Sequence, residues 1–442
     1  MLPNAFLDRM RRLLGTEFDA FLASYELPRN TGLRLNPLKG SAPSLPFCTQ
    51  RIPWEENGYY LQSNARPGLN PYHDAGVYYL QEPSAMAPAT LLKPQPCERI
   101  LDLCAAPGGK TTQIAAAMQG QGLLVCNEIH PKRARILSSN IERMGISNAL
   151  VLNEHPAKLA ERFPCYFDRI LVDAPCSGEG MFRKEDAAVS DWSEETVRMC
   201  AARQLEILGS AAKMLAPGGR LVYSTCTFAP EENEGVISRF LEQEQDFKIE
   251  KAEAPYFSAG KPSWVDSPHK DIALTFRLFP HKLRGEGHYA AVLTRLGATA
   301  RNDILQQPLQ PLPQAIAAFL QENQIDLHGK TVAFGDTHYL APPELPDLKG
   351  LKVLRAGLEL GEIRKSRFIP SHALALWLKT FPNIVSFPAD SQEIASYLRG
   401  ETLFGEQRGW VLVCVDGYSL GWARGADGIL KNHYPKGLRR VN

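Results

Sequence analysis

From Arg99 to Glu242 the chain alternates apolar runs of strand length with segments of helical period. Arg99–Cys104, Leu123–Asn127, Ala149–Leu152, Arg169–Val172 and Arg220–Ser224 read as strands, and Lys110–Met118, Lys132–Met144, Glu194–Leu215 and Glu231–Glu242 as helices. Near-continuous apolar strands need cover on both faces, and a helix after each strand returns the chain to begin the next in the same direction. The alternation predicts an α/β fold, a parallel sheet with helices on both faces, over about residues 98–295. Two further stretches, Ile272–Phe279 and Tyr289–Leu293, are expected to close the sheet antiparallel to each other.

A chain of 442 residues exceeds one compact core, so two to four units are expected. Residues 1–90 read as a small α+β unit: helices over Ala5–Leu14 and Glu17–Tyr25, then a strand, Gly32–Asn36, stopped by Pro37. The alternating region occupies 91–298. The Pro/Gln-rich stretch Gln306–Gln314 opens a linker and small mixed unit over 299–380. From Phe381 to the end the pattern is β-rich, with Trp410–Val415, a turn at Asp416-Gly417, and closing basic residues Lys431, Lys436, Arg439 and Arg440.

Bulk numbers exclude several classes. With 44% apolar residues, 22% charged and a net charge of +1, the chain is an ordinary globular composition, not a purely electrostatic nucleic-acid binder. Its 49 basic residues still leave room for local basic surfaces. An apolar run of membrane-spanning length is missing, and the amphipathic N-terminus lacks a cleavage site, so no membrane partner is expected and a cytoplasmic location is. The nine cysteines are odd in number and contain no Cys-x-x-Cys pair; reduced thiols are expected, with neither a disulfide framework nor a metal site.

Three segments sit where strands end in polar residues. The first, Asp102–Lys110, carries Cys104, Ala105, Ala106, Pro107, Gly108, Gly109 and Lys110 between a strand and a helix. Glycines there let backbone amides approach a ligand, at a helix start with free N–H groups. A P-loop would need glycine where Cys104 stands, though Gly109-Lys110-Thr111 fits; a dinucleotide fingerprint, Gly-x-Gly-x-x-Gly, does not occur. The third reading is an S-adenosylmethionine turn, with Glu128 at the end of the next strand to bind ribose hydroxyls. The other two segments carry thiols: Cys176 after Asp173-Ala174-Pro175 and before a glycine-containing loop expected to be mobile, and Cys226 after Ser224-Thr225. A helix start expected near Glu231 would favour the Cys226 thiolate. A thiolate that adds to carbon 6 of a pyrimidine makes carbon 5 nucleophilic toward a sulfonium methyl. A carboxyl such as Asp173 could stabilise that adduct from the ring's nitrogen edge, and the base must first leave its stack.

At Asp102–Lys110, Asp173–Gly180 and Tyr223–Glu234, supported by Gln81-Glu82-Pro83-Ser84 and Arg284-Gly285-Glu286-Gly287, the chain resembles the Nop/Sun family of RNA cytosine-5 methyltransferases, and within it the bacterial RsmF type. The resemblance implies a Rossmann-like S-adenosylmethionine methyltransferase core, a small N-terminal α+β domain and a C-terminal PUA-like β-rich domain, both end domains binding RNA. It implies a monomer acting on small-subunit ribosomal RNA within the ribosomal subunit, with transfer RNA as the alternative substrate. It makes Cys226 the nucleophile and Cys176 the thiol that assists product release. Cys104 to Lys110 would hold the methionine part of the cofactor, Glu128 the ribose, and Asp173 would lie between cofactor and base. Where many relatives carry an aspartate beside the adenine, His155 stands here. Arg34, Asn36, Arg183-Lys184 and the basic tail fit phosphate contacts, with a solvated charged face the better reading for any single residue; the tail as a whole, where Trp422 and Tyr434 accompany the basic residues, suits stacking plus phosphate contact.

Overall fold

The structure, a computed structural model, describes residues 2–184 and 186–440. Ten strands form its central sheet: β1 (Arg99–Asp102), β2 (Leu123–Asn127), β3 (Ala149–Leu152), β4 (Phe167–Asp173), β5 (Leu215–Thr225), β6 (Phe247–Ile249), β7 (Ser258–Ala259), β8 (Phe276–Leu278), β9 (His288–Arg295) and β10 (Val353–Ala356). Their order is β7-β8-β9-β5-β4-β1-β2-β3-β10, with β6 also on β9. β5, β4, β1, β2 and β3 run parallel, while β9 joins β5, and β8 joins β9, antiparallel. The apolar strands are buried on both faces, and their two faces feed separate cores, one containing Leu101, Val125 and Val172, the other Ile100, Leu124 and Leu171. The chain winds outward from β1 in one direction and from β4 in the other, so the crevice between them is the topological switch point at which such sheets bind ligands.

The N-terminal unit has helices Asn4–Leu14 and Phe18–Ser24 and a four-stranded antiparallel sheet from Gly32–Leu35, Cys48–Arg51, Gly58–Leu61 and Tyr78–Leu80. Beyond the central sheet, a five-stranded sheet spans Gln310 to Pro370, and a second five-stranded sheet spans Ile384 to Asn432. Neither region is closed on itself. Val353–Ala356 leaves its surroundings to extend the central sheet as β10, antiparallel to β3. The last sheet shares one core with the N-terminal unit, in which Leu33, Leu61 and Tyr78 meet Ile394, Tyr397 and Val411. No helix among the described residues is long and apolar enough to cross a membrane.

Candidate active site

Side chains from four strand ends converge on the rim at the switch point. The turn after β1 enters helix Gly109–Met118 through Gly108 at φ +115°, a backbone conformation that side chains with a Cβ rarely adopt. Asp102, 1% exposed, braces that turn by accepting the Thr111 hydroxyl at 2.6 Å, and burial pushes its carboxyl up to about 7. Ala105 and Ala106 are buried, Cys104 is partly buried with its thiol raised by burial, and Pro107 is exposed.

Lys110 reaches from the first turn of that helix to Asp173 at the end of β4, Nζ to Oδ2 at 2.7 Å. Burial opposes charge on both groups, yet the ion pair outweighs it: Lys110 is held above its ordinary value and Asp173 below. The Ser224 hydroxyl donates to the other Asp173 oxygen at 2.7 Å. The two thiols meet beside this pair, with Cys176 Sγ 3.3 Å from Cys226 Sγ and both residues partly exposed. The hydrogen bond with Cys226, then burial, hold the Cys176 thiol well above its usual range. All nine cysteines are unpaired.

Two local expectations are corrected. The helix after Cys226 begins at Glu234, not near Glu231, so Cys226 is not at a helix start. Pro230–Asn233 instead form a turn, with Asn233 accepting the Thr225 hydroxyl at 2.6 Å and donating to the Thr227 carbonyl at 3.0 Å. The Cys176 loop is also fastened. Glu179, fully buried, takes hydrogen bonds from Arg9, from Trp192 Nε1 at 2.8 Å and from the Phe228 amide at 3.1 Å.

Glu128, 3% exposed, stands at the end of β2, accepts the His130 amide at 2.9 Å and lies 3.4 Å from Arg133. Arg133 also donates to the Ala106 carbonyl at 2.8 Å, joining the ribose-side carboxylate to the glycine turn. His155 is set apart: it follows β3, two strands from β1, and its exposed ring caps helix Pro156–Arg162 by accepting the Ala157 amide at 3.3 Å. The donor set fits S-adenosylmethionine better than a polyphosphate. A carboxylate waits at the ribose position, and Lys110, which a P-loop would aim at phosphate, is neutralised by Asp173.

Sequence reasoning missed His288. It begins β9, one residue before Tyr289, which pairs with Thr225, and its ring lies near Lys110 and Asp173. Burial, then Lys110, push its imidazole down to about 3, so it is neutral. The only signal was its position directly after the Arg284–Gly287 segment.

Several expected RNA contacts are absent from the surface. Arg34 is 1% exposed and donates to the Gly109 carbonyl at 3.1 Å and the Thr112 hydroxyl at 2.7 Å. Asn36 is buried against the Gly76 and Met144 carbonyls. Arg183 is spent on the Leu27 and Pro28 carbonyls and on Glu286, while Lys184 is exposed. Trp422 and Tyr434 are core residues: the Trp422 indole donates to the Ser371 carbonyl, and Tyr434 packs on His372 and Tyr397. The accessible basic residues of this unit include Arg424, Lys431 and Lys436.

Four family models match in succession. They are the N-terminal domain of 16S rRNA methyltransferase RsmF (residues 2–83), 16S rRNA methyltransferase RsmB/F (89–294), the RsmF rRNA methyltransferase first C-terminal domain (318–378) and the methyltransferase RsmF PUA domain (385–440). Ribosomal RNA small subunit methyltransferase F of Erwinia tasmaniensis is 31% identical, with 99% of this chain and 97% of that protein aligned. The Klebsiella pneumoniae protein of the same name is 33% identical over 99% and 96% of the two chains. A methyltransferase homologue from Pyrococcus horikoshii of known structure superposes with a TM-score of 0.59 at 29% identity, covering 66% of this chain and 95% of its own. With the converging rim and all four models in register, the chain belongs to the RsmF family of S-adenosylmethionine-dependent 16S rRNA methyltransferases.

Proposed function

We propose that this enzyme methylates carbon 5 of cytosine in small-subunit ribosomal RNA through a covalent bond between Cys226 and carbon 6. The 3.3 Å approach of two thiols beside the Lys110–Asp173 pair carries this reading. S-adenosylmethionine, held by Cys104–Lys110 and Glu128, supplies the electrophilic methyl group.

The protein's own groups divide the remaining work. Cys176, raised by its bond to Cys226 and by burial, stays protonated and can donate toward the Cys226 sulfur as that sulfur gives up its proton to solvent. The Cys226 electron pair then forms the bond to carbon 6, and the negative charge developing on the base is met by Lys110, which Asp173 orients. Once that pair lies in a carbon–sulfur bond, the interaction that raised Cys176 is gone, and Cys176 can lose its proton to solvent. Its thiolate takes the proton from carbon 5; the carbon–hydrogen electrons restore the ring double bond and expel Cys226 as thiolate. In this reading His155 contacts adenine only by turning away from its helix cap. The units at 1–90 and 381–442 grip RNA, 91–298 performs catalysis and 299–380 joins them. The enzyme works as a cytoplasmic monomer on the small ribosomal subunit.

Mapping 5-methylcytosine in ribosomal RNA with and without the protein tests the product. Cys226→Ala should abolish transfer, and Cys176→Ala should leave a protein–RNA adduct as a shifted band on a denaturing gel. An adduct trapped by Cys226→Ala and normal release by Cys176→Ala would reverse the two roles.

A further inference from the structure

The two thiols stand on separate loops, yet they meet within van der Waals reach. Glu232 joins those loops. Its side chain is fully buried. Oε2 accepts the Ser177 amide at 3.0 Å and the Gln204 side-chain amide at 2.7 Å, while Oε1 bonds the Ser177 hydroxyl. Gln204, from helix Glu194–Met214, also donates to the Pro175 carbonyl at 3.0 Å. The residues on both sides of Cys176 are thus tied to one carboxyl. The Ser177 hydroxyl continues to the Thr227 hydroxyl at 2.9 Å, directly after Cys226.

We propose that Glu232 is the positioning residue that sets Cys176 against Cys226, and that its ionisation controls how readily Cys176 acts in product release. This rests on the two-thiol reading above. Glu232's described hydrogen-bond partners are all neutral, so its charge is not cancelled. The groups facing it are Ser177, Cys176 and Glu179 from the Cys176 loop, Gln204 and Cys200 from the long helix, and Tyr223 from β5. Burial pushes the carboxyl up to about 7, and the anion in turn raises Cys176. When Glu232 is neutral its own O–H donates to Ser177, which donates to Thr227. When it is ionised, the direction of that hydroxyl chain reverses. The loops stay joined in both states, but only the anion opposes a second negative charge on Cys176.

The test measures adduct breakdown against pH in a single turnover with the whole enzyme, S-adenosylmethionine and a small-subunit ribosomal RNA transcript. Glu232→Gln keeps a bonding side chain without the charge. It should move the midpoint of the release profile down by about one pH unit, a tenfold faster release between about pH 7 and that midpoint that fades below pH 7, where Glu232 itself is neutral. Glu232→Ala removes the tie and should slow release on the order of a hundredfold, with adduct accumulating. A Glu232→Gln profile that coincides with wild type overturns the proposal, as does rapid release by a folded Glu232→Ala. Should Glu232→Ala lose its cooperative melt, the Glu232→Gln profile decides alone. Cys176→Ala, run alongside, separates the two levels: no trapped adduct there means the two-thiol reading fails, whereas a trapped adduct with wild-type behaviour at Glu232 means only the present assignment fails.

Discussion

Arg34 carries its positive charge inside the protein, 1% exposed, without a carboxylate among its hydrogen-bond partners. Burial lowers it only to about 10, so at neutral pH a guanidinium sits beneath the glycine turn and fastens the N-terminal unit to it. Arg34→Met leaves the Thr112 hydroxyl and the Gln81 side-chain oxygen without the donor that Arg34 supplies. We expect a loss of about 1.5–3 kcal/mol in urea unfolding and weaker S-adenosylmethionine binding by calorimetry. The salt dependence of RNA binding should stay unchanged, because no phosphate contact is removed; a shallower salt slope would restore the phosphate role. In the sequence Arg34 was indistinguishable from a phosphate ligand, since a basic residue in a short strand looks the same whether it ends on RNA or on a carbonyl. Asp173, Cys176 and Cys226 were legible for the opposite reason: polar residues ending apolar parallel strands are placed by the sheet itself, whatever surrounds them.

At the scale of elements, strands read from the sequence matched closely where an apolar run met a polar end, as at Leu123–Asn127 and Ala149–Leu152. Helix starts matched within a residue at Lys110, Lys132 and Glu194, but the start read at Glu231 did not, because side-chain bonds decide that one. Glu231–Asn233 have helix-compatible sequence, but Glu232 and Asn233 turn inward to the thiol loops, and the helix waits until Glu234. That start is fixed by Arg277 on β8, which donates to Glu234 at 2.7 Å and to the Phe228 carbonyl at 3.0 Å, both ion partners being buried. Arg277→Met strands a buried carboxylate and should cost about 3–5 kcal/mol in denaturant unfolding; a cost under 1 kcal/mol would mean the brace is dispensable. Three rim-side carboxyls, those of Asp102, Glu232 and Glu286, are also buried, and burial pushes each up to about 7. Their folded values lie above the unfolded ones, so the native state holds more protons between about pH 4 and 7. Stability from these groups is full below the unfolded values and is lost as pH rises through the folded ones. The urea midpoint should therefore fall from pH 5 to pH 8, and Glu286→Gln should flatten that fall.

The whole molecule is more continuous than its sequence suggests. Composition divides the chain near 298, because Gln306–Gln314 reads as a linker and the strand partner of Val353–Ala356 lies far back in sequence. In the fold, β10 covers the β3 edge, and two ion pairs secure the same junction: Arg99 grips Glu344 through Nε at 2.7 Å and Nη2 at 3.0 Å, and Arg162 holds Asp347 at 2.7 Å. At the other end Leu33, Leu61 and Tyr78 lose their cover if the C-terminal sheet is removed. A fragment ending at residue 298 keeps every rim residue yet exposes both the open edge of a fully apolar strand and an uncovered core face. Unpaired apolar edges join other chains. We expect that fragment to elute as aggregates in size-exclusion chromatography while the whole chain does not, and we expect Leu150→Lys at the β3 edge to lessen aggregation of the fragment only at the expense of its fold, because Leu150 is itself fully buried. A monomeric fragment with a cooperative melt would mean that the catalytic sheet closes its own edge, and that the C-terminal units contribute RNA contacts without contributing to the core.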